Sequence, residues 1–277
     1  VAGQGMFDLG TLDGDNGFLL DSTFIPASGD SVGYSVSSAG DINGDGFDDV
    51  IIGSPNTYID HRDFFSYFVV LGKASGFDAQ MDLSKLDGSN GFRLDRAKDG
   101  FGGTVSNAGD VNGDGFDDVI IGASYYDSNS QSKSGSSYVV LGKASGFDAQ
   151  MDLSKLDGSN GFRLVDTAYA GSGMPVSSAG DINGDGFDDV ILGSPFDAFS
   201  SGSSYVVFGR ASGFDASMNL SSLNGSDGFR LDGEASDRSG VSVSGAGDVN
   251  GDGFDDVIVG ASEADHNGDR SGSSYVV

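Results

Sequence analysis

The chain has 277 residues, of which 42 are acidic and 14 basic, giving a formal charge of −28; nucleic acid is thereby excluded as a partner held by charge. Forty-seven glycines, four prolines and no cysteine or tryptophan exclude disulfide and thiol chemistry and describe many short segments joined by tight turns. No stretch approaches the roughly 20 apolar residues that cross a bilayer, so no membrane insertion is expected, and the first residues lack the basic flank and hydrophobic block of a leader. The chain reads as a mature protein or an excised domain, and 20 Phe with 9 Tyr are enough to fill a core.

The elements recur along the chain. The segment Phe7 to Asp21 is followed by an alternating strand, 32–39, which runs into the acidic loop 41–49. A continuous apolar strand, 49–53, comes next, then a variable loop, 55–65, and a second apolar strand, 66–71. An outer strand, 91–94, follows the turn pair Asn90-Gly91. Continuous apolar strands are covered on both faces, whereas the Phe-Arg-Leu alternation of 91–94 suits a half-wet position. No segment has helical periodicity.

The acidic loop begins at Asp41, Asp110, Asp181 and Asp248, and residues 69–94 recur letter for letter at 139–164. Repeat units of approximately 32–95, 103–166, 174–232 and 241–277 result. Four-stranded units, each covered by its neighbours, predict an all-β propeller of four blades forming a single domain over 1–277. The last unit ends in its third strand, and residues 7–21 match 81–95 at a constant offset of 74. Residues 1–21 are therefore expected to supply the outer strand of the last blade and close the ring; the other reading is a longer array cut in phase.

In Asp41-Ile42-Asn43-Gly44-Asp45-Gly46-Phe47-Asp48-Asp49, oxygen-bearing side chains occupy positions 1, 3, 5 and 9, with glycine at 4 and 6. A hard cation takes six to eight oxygens, and a loop curled around one presents alternate side chains and a backbone carbonyl near position 7. Without a counter-charge the carboxylates repel one another. Calcium is favoured over zinc, which wants Cys or His, and over magnesium, which keeps its waters. An EF-hand does not fit, since Ile52, Ile121, Leu192 and Val259 stand where its twelfth-position Glu would be. A solvated acidic turn is the alternative for a single copy; four copies in one register argue against it.

With these motifs the unit resembles the FG-GAP repeat of the integrin alpha-chain propeller and of bacterial extracellular proteins. The Phe-Gly element stands at Phe101-Gly102, and the Gly-Ala-Pro element appears as Gly53-Ser54-Pro55, Gly122-Ala123-Ser124, Gly193-Ser194-Pro195 and Gly260-Ala261-Ser262. The resemblance implies four calcium ions, one per repeat. The first would be held by Asp41, Asn43, Asp45, the Phe47 carbonyl and Asp49, the second by Asp110, Asn112, Asp114, Phe116 and Asp118. Asp181, Asn183, Asp185, Phe187 and Asp189 would hold the third, and Asp248, Asn250, Asp252, Phe254 and Asp256 the fourth. Integrin propellers have seven blades against four here, and the chain has no Arg-Gly-Asp.

Ligand recognition is expected in the loops opposite the acidic ones, which vary on a constant scaffold. Tyr58, His61, Arg62, Phe65, Tyr125, Tyr126, Phe196 and Phe199 are the candidates, set against the alternative that several only cap the core. His61 and His266 read as solvated loop residues, and Asp265 to Asp269 as a turn. No nucleophile elbow, phosphate loop or zinc-protease motif is present, so an enzyme is not expected, although a glycosidase pair could sit among Asp60, Asp63, Asp127, Asp197 and Glu263. The expectation is a calcium-binding extracellular module, secreted or at the cell surface. It would recognise a protein or carbohydrate as a monomer or as part of a larger chain, the alternative being a spacer in a large secreted protein.

Overall fold

A computed structural model describes residues 7–22, 31–59, 62–97, 101–124, 135–144, 146–166, 175–196, 201–211 and 213–277. Strand β1 (Leu19–Asp21) precedes the first unit, which contributes β2 (Ser35–Gly40), β3 (Asp49–Ile59), β4 (Arg62–Val70), β5 (Gln80–Asp82) and β6 (Gly91–Ala97). The second contributes β7 (Phe101–Gly109), β8 (Asp118–Ser124), β9 (Gly135–Val140), β10 (Gln150–Asp152) and β11 (Gly161–Val165). The third contributes β12 (Val176–Gly180), β13 (Asp189–Ser194), β14 (Ser203–Val207), β15 (Ser217–Asn219) and β16 (Gly228–Asp232), and the fourth β17 (Ser239–Gly247), β18 (Asp256–Ala261) and β19 (Ser273–Val276). No helix among the described residues is long and apolar enough to cross a membrane.

Each unit forms an antiparallel sheet in chain order, β2-β3-β4-β6, β7-β8-β9-β11, β12-β13-β14-β16 and β17-β18-β19. The first strand pair is always joined by the acidic loop and always carries a register shift just before it, at Ser38/Gly40, Asn107/Gly109, Ser178/Gly180 and Gly245/Gly247. Such a bulge bends the strand and aims the loop. It needs a left-handed residue, and Gly40 supplies φ 63°.

Successive sheets pack face to face through the alternation of the apolar strands. Ile51, Val69 and Phe92 of the first sheet meet Val119, Ile121 and Val140 of the second. Ile120, Val139 and Phe162 meet Val190, Leu192 and Val207 of the third, and Ile191 and Val206 meet Val257 and Val259 of the fourth. The apolar run is therefore buried from both sides in the second and third sheets, as its lack of polar alternation demands, while Val50 of the first and Ile258 of the fourth stay exposed on one face.

Sequence reasoning did not foresee a second seam. The short strands β10 and β15 pair parallel to β6 and β11, the outer strands of the preceding sheets, and β5 pairs in the same way with β1. Each is followed by a 3-10 turn whose cap, Asp82, Asp152 or Asn219, accepts from the amide two residues on. Phe92 stacks on Phe147 at 4.3 Å between centroids, Phe162 on Phe214 at 4.3 Å and Phe18 on Phe77 at 4.2 Å. Lys143, Arg210 and Lys73 lie over the second ring of each pair.

One further expectation meets a different structure. Residues 55–65 are not a simple loop: β3 runs to Ile59 and β4 begins at Arg62, so most of the segment is a hairpin, with a register shift between Ser54 and Thr57. The shift falls at Pro55, which has no N–H to give a ladder. The segment 7–21 lies beside β5, where an outer strand preceding the first unit would lie, while β17-β18-β19 is a sheet of three strands among the described residues.

Candidate metal loops and the opposite face

The four acidic loops share one hydrogen-bond plan. Asp41 accepts from the amide of Asp45 through Oδ1 at 3.0 Å and from that of Gly46 through Oδ2 at 2.9 Å. Asn43 Oδ1 accepts from Asp45 N at 2.8 Å, and Asp45 Oδ1 from Phe47 N at 3.0 Å. The same contacts recur at Asp110 to Phe116, Asp181 to Phe187 and Asp248 to Phe254. The loops are thus pre-curled by their own amides.

Position 9 is set apart by burial. Asp49 accepts from Gly72 N at 2.6 Å and Ile42 N at 3.0 Å, Asp118 from Gly142 N at 2.7 Å and Val111 N at 2.9 Å, and Asp189 from Gly209 N at 2.8 Å and Ile182 N at 3.0 Å. Each of these three side chains has no exposed surface. Burial pushes the carboxyl of Asp49 up to about 6, that of Asp189 to about 7 and that of Asp118 to about 8. The two amides oppose the rise, and the aspartates at positions 1 and 5 add to it. Asp256 keeps one such bond, from Val249 N at 2.8 Å, and Asn250 Nδ2 lies 3.5 Å from its other oxygen.

None of these loop carboxylates is ion-paired with Lys or Arg among the described residues. As the side chains stand, no group of three or more acidic or histidine side chains forms a ready cage there, because the oxygens are turned toward loop amides. Most of these oxygens retain a further lone pair, the exceptions being Oδ1 of Asp181 and of Asp248, each of which accepts from two amides. The donor set is oxygen only, uncompensated in charge and partly withdrawn from water, which fits a hard divalent cation and fits neither zinc nor copper.

Of the candidates for ligand recognition, three share the β3–β4 hairpin. Tyr58 pairs with Asp63 and Ile59 with Arg62 at the tip of the β3–β4 hairpin, and Phe65 is placed opposite Arg96. Phe196 is 42% exposed with the Arg238 guanidinium 5.6 Å from its ring centre. His61, Tyr125, Tyr126 and Phe199 lie outside the described residues. Of the carboxylates considered for glycoside chemistry, Glu263 is bound to Arg238 at 3.0 Å, while Asp60, Asp127 and Asp197 lie outside the described residues. Asp265 to Asp269 does form a turn, closed by Gly268 N to Asp265 O at 3.2 Å, with Asp265 Oδ1 accepting from Arg270 N at 2.6 Å.

Sequence reasoning passed over the aspartate at position 8. Asp117 Oδ2 accepts from Asp41 N at 2.7 Å, Asp188 Oδ2 from Asp110 N at 2.8 Å and Asp255 Oδ2 from Asp181 N at 3.0 Å. The fourfold doublet, Asp48-Asp49 and its equivalents, was the available signal.

Repeated antiparallel sheets packed in succession, each with a curled acidic loop between its first two strands, define a repeat of the β-propeller type. The FG-GAP repeat model matches residues 32–67, 101–140, 176–207 and 239–277, together more than half of the chain, which therefore belongs to the FG-GAP repeat family. It is 27% identical over 260 residues to integrin alpha-6 of Gallus gallus, covering 93% of this chain and 21% of that protein. To integrin alpha-V of Gallus gallus it is 30% identical over 240 residues, covering 83% and 20%, and to integrin alpha-PS5 of Drosophila melanogaster 31% over 173 residues, covering 60% and 15%. The chain spans about a fifth or less of the length of these relatives.

Proposed function

We propose that the chain is a calcium-stiffened recognition module that works outside the cell, binding a protein or carbohydrate through the loops opposite its acidic face. The observation that carries the reading is the buried aspartate at position 9, held by two backbone amides at the mouth of an oxygen-rich loop without a counter-ion, in three consecutive units. Positions 1, 3, 5 and 9 and the position-7 carbonyl of each loop would hold one ion, four in all. A bound ion would supply positive charge that removes the mutual repulsion of the carboxylates. The residues themselves fix the loop: position 9 ties it to the end of the third strand, and positions 1 and 5 fold it on their own amides. Sites of about 10⁻⁴ to 10⁻³ M affinity fill outside the cell and stay empty in the cytosol.

Recognition is inferred from the kinship with integrin alpha chains and from variable loops on a constant scaffold, and no catalytic role is assigned. The same reading takes 1–277 as one domain in which β1 would complete the fourth sheet; closing the ring would also set Asp48 against Asp248, a clamp absent among the described residues, where nothing lies within 4 Å of a Cβ on Gly247. By the register of the other sheets, where Val70 faces Gly91, Val140 faces Gly161 and Val207 faces Gly228, Val277 would face Gly17 and Ser274 would face Leu20. Titration by calorimetry should give four calcium ions per chain, and chelator should lower the melting temperature by tens of degrees. A stoichiometry of zero, or an unchanged melting curve, overturns the reading.

A further inference from the structure

We infer that the aspartate at position 8 is a positioning residue that couples each calcium loop to the loop of the preceding unit, so that neighbouring loops fill cooperatively. The inference rests on the calcium reading and concerns residues outside the ligand set. Asp117 grips the main chain of Asp41 at two points: its carboxylate accepts from Asp41 N at 2.7 Å, and its own amide donates to Asp41 O at 3.3 Å. Asp188 holds Asp110 in the same way at 2.8 and 3.2 Å, and Asp255 holds Asp181 at 3.0 and 3.3 Å. Asp41, Asp110 and Asp181 occupy position 1 of their loops, so each clamp fixes the backbone of a residue expected to present oxygen to the ion.

Position 7 makes a second contact in the same direction. The Phe116 ring lies against Gly44, Phe187 against Gly113 and Phe254 against Gly184, so closely that a Cβ on any of these glycines would overlap the ring. The strand ends contribute a third, from Lys143 N to Ile42 O at 3.0 Å and from Arg210 N to Val111 O at 2.9 Å. The position-7 residue faces two ways, since its carbonyl belongs to its own loop and its ring to the preceding one. Ordering one loop therefore fixes ring and clamp, and these fix the loop before it; a ligand that rigidifies a shared element lowers the ordering cost of the next.

The polarity supplies an internal control. Asp48 carries the same residue at position 8 of the first loop but makes no such clamp among the described residues, and Phe47 is 41% exposed. At the other end nothing lies within 4 Å of a Cβ on Gly247 or Gly251 of the fourth loop.

The test follows amide hydrogen exchange of peptides spanning 41–49 and 110–118 across a calcium titration. In Asp117→Ala, half-protection of 41–49 should require about fivefold more calcium or higher and, coupling being reciprocal, the midpoint of 110–118 should shift in the same direction. Asp117→Asn, whose amide oxygen can still accept from Asp41 N, should restore the wild-type midpoint, and Asp48→Ala should move neither peptide. Asp188→Ala, read at 110–118, repeats the measurement at a second boundary should Asp117→Ala not fold. Unchanged midpoints in both alanine variants, or an Asp48→Ala shift as large as that of Asp117→Ala, overturn the coupling while leaving the calcium reading intact. Loops that calcium does not protect in the wild type overturn both.

Discussion

Replacing Asp118 with alanine separates what the buried carboxyl does for the fold from what it does for an ion. The side chain has no exposed surface and accepts from Gly142 N at 2.7 Å and Val111 N at 2.9 Å. Alanine leaves both donors buried without a partner, at about 1–3 kcal/mol each, or roughly 2–6 kcal/mol together. Burial already penalises the charged form, raising its pKa to about 8, so relief of that strain places the expected loss in the lower half of the range. Asparagine keeps one acceptor and should lose about half as much. These losses should appear in urea unfolding with chelator present. With calcium at a hundredfold its dissociation constant, a missing ligand adds about 2.7 kcal/mol. A loss under about 0.5 kcal/mol in chelator would refute the structural role, as surface substitutions typically fall there. Equal losses with and without calcium would refute the role as ligand.

Phe162, fully buried and stacked on Phe214 at 4.3 Å, should cost about 3–5 kcal/mol as alanine in chemical denaturation. Gly113→Ala drives a Cβ into the Phe187 ring at φ 71°, whereas Gly115→Ala at φ 88° meets nothing; the second should cost only about 1–2 kcal/mol of backbone strain, and the first measurably more in the same assay. Cysteines at Leu20 and Ser274 should crosslink within one chain under oxidation if β1 closes the ring, and a crosslink formed only between chains would refute closure.

Most of the sheet was legible because its strands are short and continuously apolar, and the acidic loops because oxygen donors, glycines and bulges recur in one register. What escaped had physical causes. The strands β5, β10 and β15 are three residues long, half-wet and defined by a parallel neighbour from another unit, so Gln-Met-Asp carries no period to read. The extension of β3 past Pro55 hides behind a residue that normally ends a ladder. Asp117 was passed over because its bond to a residue 76 positions away leaves no local spacing. The segment 7–21 does behave as 81–95 does, with β1 beside β5 as β6 is beside β10 and Phe18 on Phe77 as Phe92 is on Phe147.

The outer strands of the first and second units are finished by their successors, through the parallel pairing of β6 with β10 and of β11 with β15 and the Phe92–Phe147 and Phe162–Phe214 stacks. A repeat boundary is therefore no place to cut. Removing one whole period of chain, by contrast, rejoins like surfaces, because the same parallel strand and aromatic stack await at the next seam. The gene can lengthen or shorten by unequal recombination without inventing a new interface, and the verbatim copy of 69–94 at 139–164 is what such an event leaves behind.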